Sequence, residues 1–278
     1  MFKYLSLILL LFSLPFSAIS QDSTSQKTHL EPLIKAMQLK DVMASIRIEG
    51  MQYGKELGQQ MLQGRGGDDW LQIVATIYDE NRIWDTFHPR LAAQLQNHEI
   101  DEMLAFWQTD VAQQAVGLEI SARLAFMDKD IEEAARARFR EMAAAKHPRA
   151  TMLRDFVEAG DLVQYNLSSA MNSSYAFSRG MVQGGAFERA VTEEEILRGT
   201  WENEAEIRTD ITEWLYAYLA LAYEPMSDAQ LQTYIDFSKT KAGRKLNAAQ
   251  FAAYDDVFNQ VSMALGLSAA KFLRGSDL

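Results

Sequence analysis

The fold follows from residues 226–246, MSDAQLQTYIDFSKTKAGRKL. Their pattern of apolar and capping residues is repeated at residues 96–116, QNHEIDEMLAFWQTDVAQQAV. The paired positions share one offset (231 − 100 = 131) and alternate with helical spacing. They are Ile100 with Leu231, Met103 with Tyr234, Leu104 with Ile235, Phe106 with Phe237, and Thr109 with Thr240. The pattern predicts two copies of one helical module in tandem.

Two further matches extend the repeat toward the N-terminus. Gly64 pairs with Gly184 at an offset of 120 residues (184 − 64), and Trp84 pairs with Trp214 at an offset of 130 (214 − 84). The offset therefore increases by ten residues between these two matches. The change in offset predicts an insertion near residues 186–200 of the second copy. We expect an all-α protein in which two pseudo-repeated modules, 29–147 and 150–275, pack into one helical bundle.

The composition agrees with this fold class. The chain has 278 residues, 48% hydrophobic content and 5 prolines, and it lacks strictly alternating β-branched runs. Its net charge of −11 disfavours binding to the phosphate backbone of nucleic acids and to anionic lipid. With 0 cysteines, the chain has neither a disulfide framework nor a lipoprotein anchor site.

The first twenty residues read as a secretory signal. Lys3 precedes an apolar stretch, and Ala18, Ile19 and Ser20 supply a small-residue cleavage site before Gln21. The stretch is shorter than the roughly 20 residues that a membrane span requires. We therefore expect a signal peptide at 1–20, a polar linker at 21–28, and a mature protein that is soluble in the periplasm or secreted.

The block that begins at Ser227 resembles the bacterial family catalogued as domain of unknown function 2059. The elements that carry the resemblance are the cap at Ser227 and Asp228, Phe237, and Gly243 followed by a basic residue. It is clearest over residues 226–273 and degenerate over about 96–146, where Ala112 stands in the place of Gly243. The resemblance implies an exported bacterial helical protein, and it supplies no catalytic residues.

No linear motif for catalysis, metal or cofactor binding stands out. The stretch that begins at His98 and Glu99 lacks the second histidine that a zinc-protease helix requires, because Glu102 occupies that position. The glycine clusters at 64–67 and 184–185 match neither a P-loop nor a dinucleotide fingerprint. We predict no catalytic residue, no metal ligand and no cofactor.

Aromatic side chains on the two related helix pairs supply the candidate site. They either form the core between the helices or line a groove for a peptide or an apolar ligand, and the core is the favoured interpretation. Trp107 is the one that we expect to be most exposed, because Ser238 is its counterpart. The candidate groove residues are Trp84, Trp107, Trp214 and Tyr218.

The favoured function is a non-enzymatic binding or interaction module of the cell envelope, with an envelope protein or peptide as its partner. The alternative is an envelope hydrolase, or another enzyme, whose site has no linear motif. An enzyme should bring together carboxylates of shifted pKa in a deep pocket, whereas a binding module should expose an apolar groove. A homodimer that covers this groove is a third hypothesis.

Overall fold

The computed structural model describes residues 23–275, and within that range the chain forms helices joined by short connections, without strands. The first part contains α1 Ser23–Ala36, α2 Leu39–Met61, α3 Gly67–Ile77, α4 Glu80–Gln94, α5 Asn97–Trp107, α6 Asp110–Ala125 and α7 Lys129–Ala144. The second part contains α8 Pro148–Ala159, α9 Leu162–Gln183, α10 Glu193–Trp201, α11 Glu204–Ala222, α12 Asp228–Lys239 and α13 Lys241–Arg274. The predicted all-α class is confirmed.

The spacings from Thr192 to Glu195 and from Ser227 to Gln230 predict capping boxes, and both boxes are present at helix starts. The Glu195 backbone N–H donates to Thr192 Oγ1 over 3.3 Å, and the Thr192 N–H donates to Glu195 Oε2 over 2.9 Å. Ser227 and Gln230 exchange the same two bonds, over 3.2 and 2.8 Å. Each box satisfies N–H groups that the first helical turn leaves without a partner, so these residues fix where α10 and α12 begin.

Several predicted helix boundaries differ from those of the structure. The spacing of Thr28 and Glu31 predicts a helix N-cap at Thr28, but Thr28 lies inside α1, so the linker predicted for 21–28 overlaps the start of that helix. Gly117 predicts a break in the helix that begins at Asp110, but the break lies at residues 126–128, between α6 and α7. Gly243 predicts a bend before the last helix, but it lies within the first turn of α13, because Thr240 separates α12 from α13. The predicted signal peptide, residues 1–20, lies outside the described residues.

The two predicted modules share one hydrophobic core. The long helix α13 packs along α9 and also against α4 of the first part, while α11 packs against α6 and α7. The connection between α7 and α8, at residues 145–147, lies at the end of the predicted first module, 29–147. Each part therefore covers apolar faces of the other, and the core runs continuously between them.

Backbone contact through glycines brings α9 and α13 close together. A Cβ atom at Gly266 would lie 2.1 Å from the carbonyl oxygen of Phe177, and one at Gly180 would lie 2.3 Å from that of Met263. Only residues without a side chain allow this approach. The two glycines thus set the separation of the most extensive helix pair in the fold.

None of the helices between residues 23 and 275 combines the length and the apolar character that crossing a membrane requires.

Candidate functional site: a central cavity with a buried carboxylate

A cavity of about 210 Å³, here called the central cavity, lies where the two parts of the chain meet. Its walls come mainly from α2, α6, α11, α12 and α13. Most lining side chains are aliphatic or aromatic, as in ligand pockets generally. Two lining residues carry charge, Glu119 and Arg123, which lie one turn apart on α6.

Glu119 is held by tyrosines from α11 and its C-terminal end. The Tyr223 hydroxyl donates to Glu119 Oε1 over 2.7 Å, and the Tyr218 hydroxyl donates to the Glu119 backbone carbonyl over 2.8 Å. Burial raises the pKa of Glu119, and hydrogen bonds from Tyr223 and Tyr234, together with the positive charge of Arg123, oppose that rise. The carboxyl group therefore sits in an apolar setting that favours its neutral form, while phenol donors favour its charged form.

The tyrosines beside Glu119 remain protonated donors. Burial raises the pKa of Tyr218, Tyr223 and Tyr234, and the nearby Glu119 charge raises each of them further. A phenol with a raised pKa keeps its proton throughout the physiological pH range. These hydroxyls consequently donate hydrogen bonds and do not act as bases.

Arg123 is committed to a second carboxylate. Its Nε lies 3.2 Å from Glu49 Oε1 of α2, and the two side chains are only 13% and 16% exposed. Burial raises the pKa of Glu49, and the Arg123 charge opposes the rise. The guanidinium and Glu49 thus form a mostly buried ion pair beside the cavity.

Other polar side chains of the cavity wall are bonded to neighbouring backbone. Ser238 Oγ donates to the Tyr234 carbonyl over 2.9 Å, one turn back on α12. Asn247 Nδ2 donates to the Gly160 carbonyl over 3.2 Å and so ties α13 to the end of α8. Both groups have structural partners. The remaining polar groups of the lining are the Glu119 carboxyl, the Gln250 amide and the Trp107 indole N–H, which is buried without a hydrogen-bond partner.

Three of the four predicted groove residues meet in the central cavity. Trp107, Trp214 and Tyr218 all line it, and the Trp214 and Tyr218 rings stack with centroids 4.8 Å apart. Trp84 lies elsewhere, against Phe87 and His88 on α4 and under the Lys40 ammonium group. The predicted set is therefore split between two places.

The predicted exposure of Trp107 is wrong. The residue is only 5% exposed, and its ring contacts Phe106 and Tyr234 edge to face. A small counterpart at Ser238 does not mean that position 107 faces solvent. Instead both residues border the central cavity, where the large ring and the small hydroxyl face a shared space.

The polar centre of the cavity was not among the sequence predictions. Glu119, Arg123 and Glu49 lie in stretches that read as ordinary amphipathic helices. The one indication in the sequence is on α6, where Glu119 and Arg123 stand four residues apart. The buried positions of that helix are mostly alanine, at Ala112, Ala115 and Ala122, together with Val116. Small side chains beside a charged pair leave room for a cavity rather than a filled core.

Within residues 23–275, no group of three or more His, Asp and Glu side chains is arranged to hold a metal ion.

Comparisons with models of protein families, with curated proteins and with solved structures find no match to this chain.

Proposed function

We propose that this chain is an exported binding protein of the bacterial cell envelope, and that its ligand occupies the central cavity. The observation that carries the proposal is an apolar cavity of about 210 Å³ that contains one carboxyl group held by tyrosine hydroxyls. Apolar walls with few, well-placed polar groups are typical of small-molecule sites. The ligand is therefore a small molecule rather than the envelope protein or peptide that the sequence alone suggests.

The size of the cavity suits a small ligand. Its volume is about 210 Å³, and it is partly open to solvent, so a ligand can enter it. An apolar cavity of about 150 Å³ is already large enough to bind benzene. A ligand that binds only the folded state also stabilises that state according to its occupancy.

The side chains that line the cavity favour ligand binding over catalysis. The cavity's Ser238 hydroxyl donates to the backbone, and its tyrosines are held as protonated donors. A hydrolase remains the second candidate because of one observation, the raised pKa of Glu119, which suits a general acid. The two functions differ in outcome, since an enzyme alters the compound that it binds.

We also propose that the two parts of the chain descend from one duplicated module. Support comes from helix order, in which α1–α6 and α8–α13 correspond one to one. The connections before α2 and α9 each use a left-handed residue, Gln38 with φ 49° and Asp161 with φ 52°. Thr109 and Thr240 both cap the next helix and both donate to a phenylalanine carbonyl over 2.7 Å.

Contacts between the two parts support the same proposal. The rings of Phe106 and Phe237, paired in sequence, stack with centroids 3.8 Å apart and planes 4° from parallel. Equivalent residues meet in this way when two copies are related by a two-fold axis. The second part is lengthened in α11 and the α11–α12 connection as well as before α10, so the extra residues are not confined to 186–200.

The cavity lies at the centre of this proposed symmetry, because equivalent positions of both parts line it. Two pairs come from the starts of α2 and α9 and the connections just before them, and five come from α5, α6, α12 and α13. They are Met37 with Gly160, Leu39 with Leu162, Trp107 with Ser238, Val116 with Asn247, Glu119 with Gln250, Ile120 with Phe251, and Arg123 with Tyr254.

The cellular location is part of the proposal. Lys3 and the apolar residues after it support export through a signal peptide cleaved between Ser20 and Gln21. Mass spectrometry of the mature N-terminus tests this point, and a protein recovered from the periplasm with Met1 intact would contradict it.

The binding function is tested by identifying the small molecules that co-purify with the protein. Protein purified from its native envelope is denatured, and the released small molecules are identified by mass spectrometry. Ser238→Phe, which fills part of the cavity, should lose a compound that wild type and the exposed control Ser121→Phe retain. If all three proteins release the same compounds, or none, the cavity is not the binding site. Recovery of a chemically altered compound after incubation would favour the hydrolase.

A further inference from the structure

We infer that the ligand of the central cavity is a small organic cation, an alkylammonium compound whose charged group lies beside Glu119. The inference rests on the proposed binding function and adds the chemical class of the ligand. Three features carry it: the charge balance of the buried groups, the aromatic walls, and the volume of the cavity.

The charges around the cavity do not balance. Glu119 and Arg123 are the charged residues of the lining, but Arg123 is already paired with Glu49 over 3.2 Å. Two carboxyl groups thus share one guanidinium. Glu119 receives hydrogen bonds from neutral phenols, which stabilise a negative charge without cancelling it.

A half-buried carboxyl group in an apolar lining has two ways to avoid an uncompensated charge. It takes up a proton, as its raised pKa indicates, or it pairs with a cation. A cation inside the cavity would keep Glu119 ionised and would form an ion pair in a setting of low polarity, where such pairs are stronger than in water. A ligand carboxylate in the same place would meet Glu119 with repulsion and would have to displace Glu49 from Arg123.

The aromatic walls suit the same ligand. The rings of Trp107, Trp214, Tyr218 and Phe237 line the cavity together with Glu119. Indole and phenol rings carry partial negative charge on their faces and attract ammonium groups, most strongly where water is excluded. Aromatic rings beside one carboxyl group therefore suit an ammonium ion that carries alkyl groups.

The volume limits how large the cation can be. At about 30 Å³ per water molecule, about 210 Å³ holds about seven waters. A ligand of about seven to ten non-hydrogen atoms fills the same space. Choline has this size, and it serves here as a probe whose shape is matched by an uncharged and an anionic analogue.

The experiment compares three probes of nearly equal shape on the full mature protein. Isothermal titration calorimetry measures the binding of choline, of its neutral isostere dimethylbutanol, and of the anion dimethylbutanoate. We expect choline to bind at least about tenfold more tightly than either analogue, because only the cation gains the aromatic and carboxylate attraction. Ser238→Phe, which reduces the cavity, should weaken choline binding and so place the probe inside it.

The decisive variant is Glu119→Gln, which retains an acceptor for the Tyr223 hydroxyl and removes the charge. It should bring the choline affinity to within about threefold of that of dimethylbutanol, whereas the exposed control Glu102→Gln should bind like wild type. Thermal unfolding of each variant confirms that it is folded.

Each other outcome overturns the inference. Equal or tighter binding of dimethylbutanol or dimethylbutanoate would show that the cavity binds a neutral or anionic ligand, and the proposed binding function would survive. Failure of all three probes to bind would refute the cation class, while the compounds released from native protein would still decide whether the cavity binds anything.

Discussion

Replacing Gly266 with alanine tests whether the backbones of α9 and α13 really touch. In most helix interiors this change stabilises a protein by about 0.5–1 kcal/mol, because alanine loses less conformational entropy on folding. At Gly266 the added methyl group would lie 2.1 Å from the Phe177 carbonyl oxygen and 3.1 Å from the Met181 nitrogen. The obstacle is backbone of the neighbouring helix and cannot rotate aside as a side chain can.

The expected magnitude follows from that distance. Real Cβ contacts essentially never fall below 3.0 Å, so the helices must separate by about 1 Å at their crossing. Overpacking of a close-packed core costs about 1–3 kcal/mol, and the change here lies at the upper end because a whole helix must move. After subtracting the helix-propensity gain, we expect Gly266→Ala to destabilise the protein by about 2 kcal/mol, a fall in Tm of about 4–8 °C.

Urea denaturation followed by far-ultraviolet circular dichroism measures this change as a lower midpoint at an unchanged m value. The control is Gly117→Ala on α6, where an added Cβ meets nothing within 4 Å. That variant should gain about 0.5–1 kcal/mol. If Gly266→Ala is as stable as Gly117→Ala, the two helices do not approach as described, and the packing argument fails.

Two further predictions concern the cavity and the helix caps. Burial raises the pKa of Glu119 above 4.5, so its contribution to stability is full below that pH and is lost as the pH rises through the folded-state pKa. The loss of unfolding free energy between about pH 5 and about pH 8 should therefore be smaller in Glu119→Gln, and identical pH slopes in denaturant titrations would contradict this reasoning. Thr109→Ala and Thr240→Ala should each cost about 1 kcal/mol, because both threonines cap a helix, and a loss at only one of them would argue against equivalent roles.

Capping chemistry made parts of the secondary structure predictable. The boxes at Thr192 and Ser227 place the starts of α10 and α12 where the sequence places them, because the hydrogen bonds involve residues only three apart. The break between α6 and α7 was misplaced, because Gly117 is tolerated inside α6 and contacts nothing there. A single glycine lowers helix propensity by about 1 kcal/mol, which tertiary packing overrides.

The site was less predictable than the helices, since it depends on contacts between distant parts of the chain. Three of the aromatic residues that the sequence analysis named, Trp107, Trp214 and Tyr218, line the cavity, and the fourth, Trp84, does not. Sequence pattern does not show that Arg123 of α6 meets Glu49 of α2, because that pairing depends on how the helices pack. The Glu119 contact with Tyr223 likewise joins residues that are 104 positions apart.

Under the proposed duplication, the cavity and its charge have a common origin in the differences between the two copies. Where the first copy has Trp107, the second has Ser238, which leaves space on one side of the symmetry axis. Where the first copy has Glu119 and Arg123, the second has the uncharged Gln250 and Tyr254. A symmetric pair of copies would place two carboxylates and two guanidiniums in one buried space, at a high desolvation cost. Because only the first copy keeps the charged residues, the cavity contains a single carboxyl group, that of Glu119, and this group determines which ligands can bind.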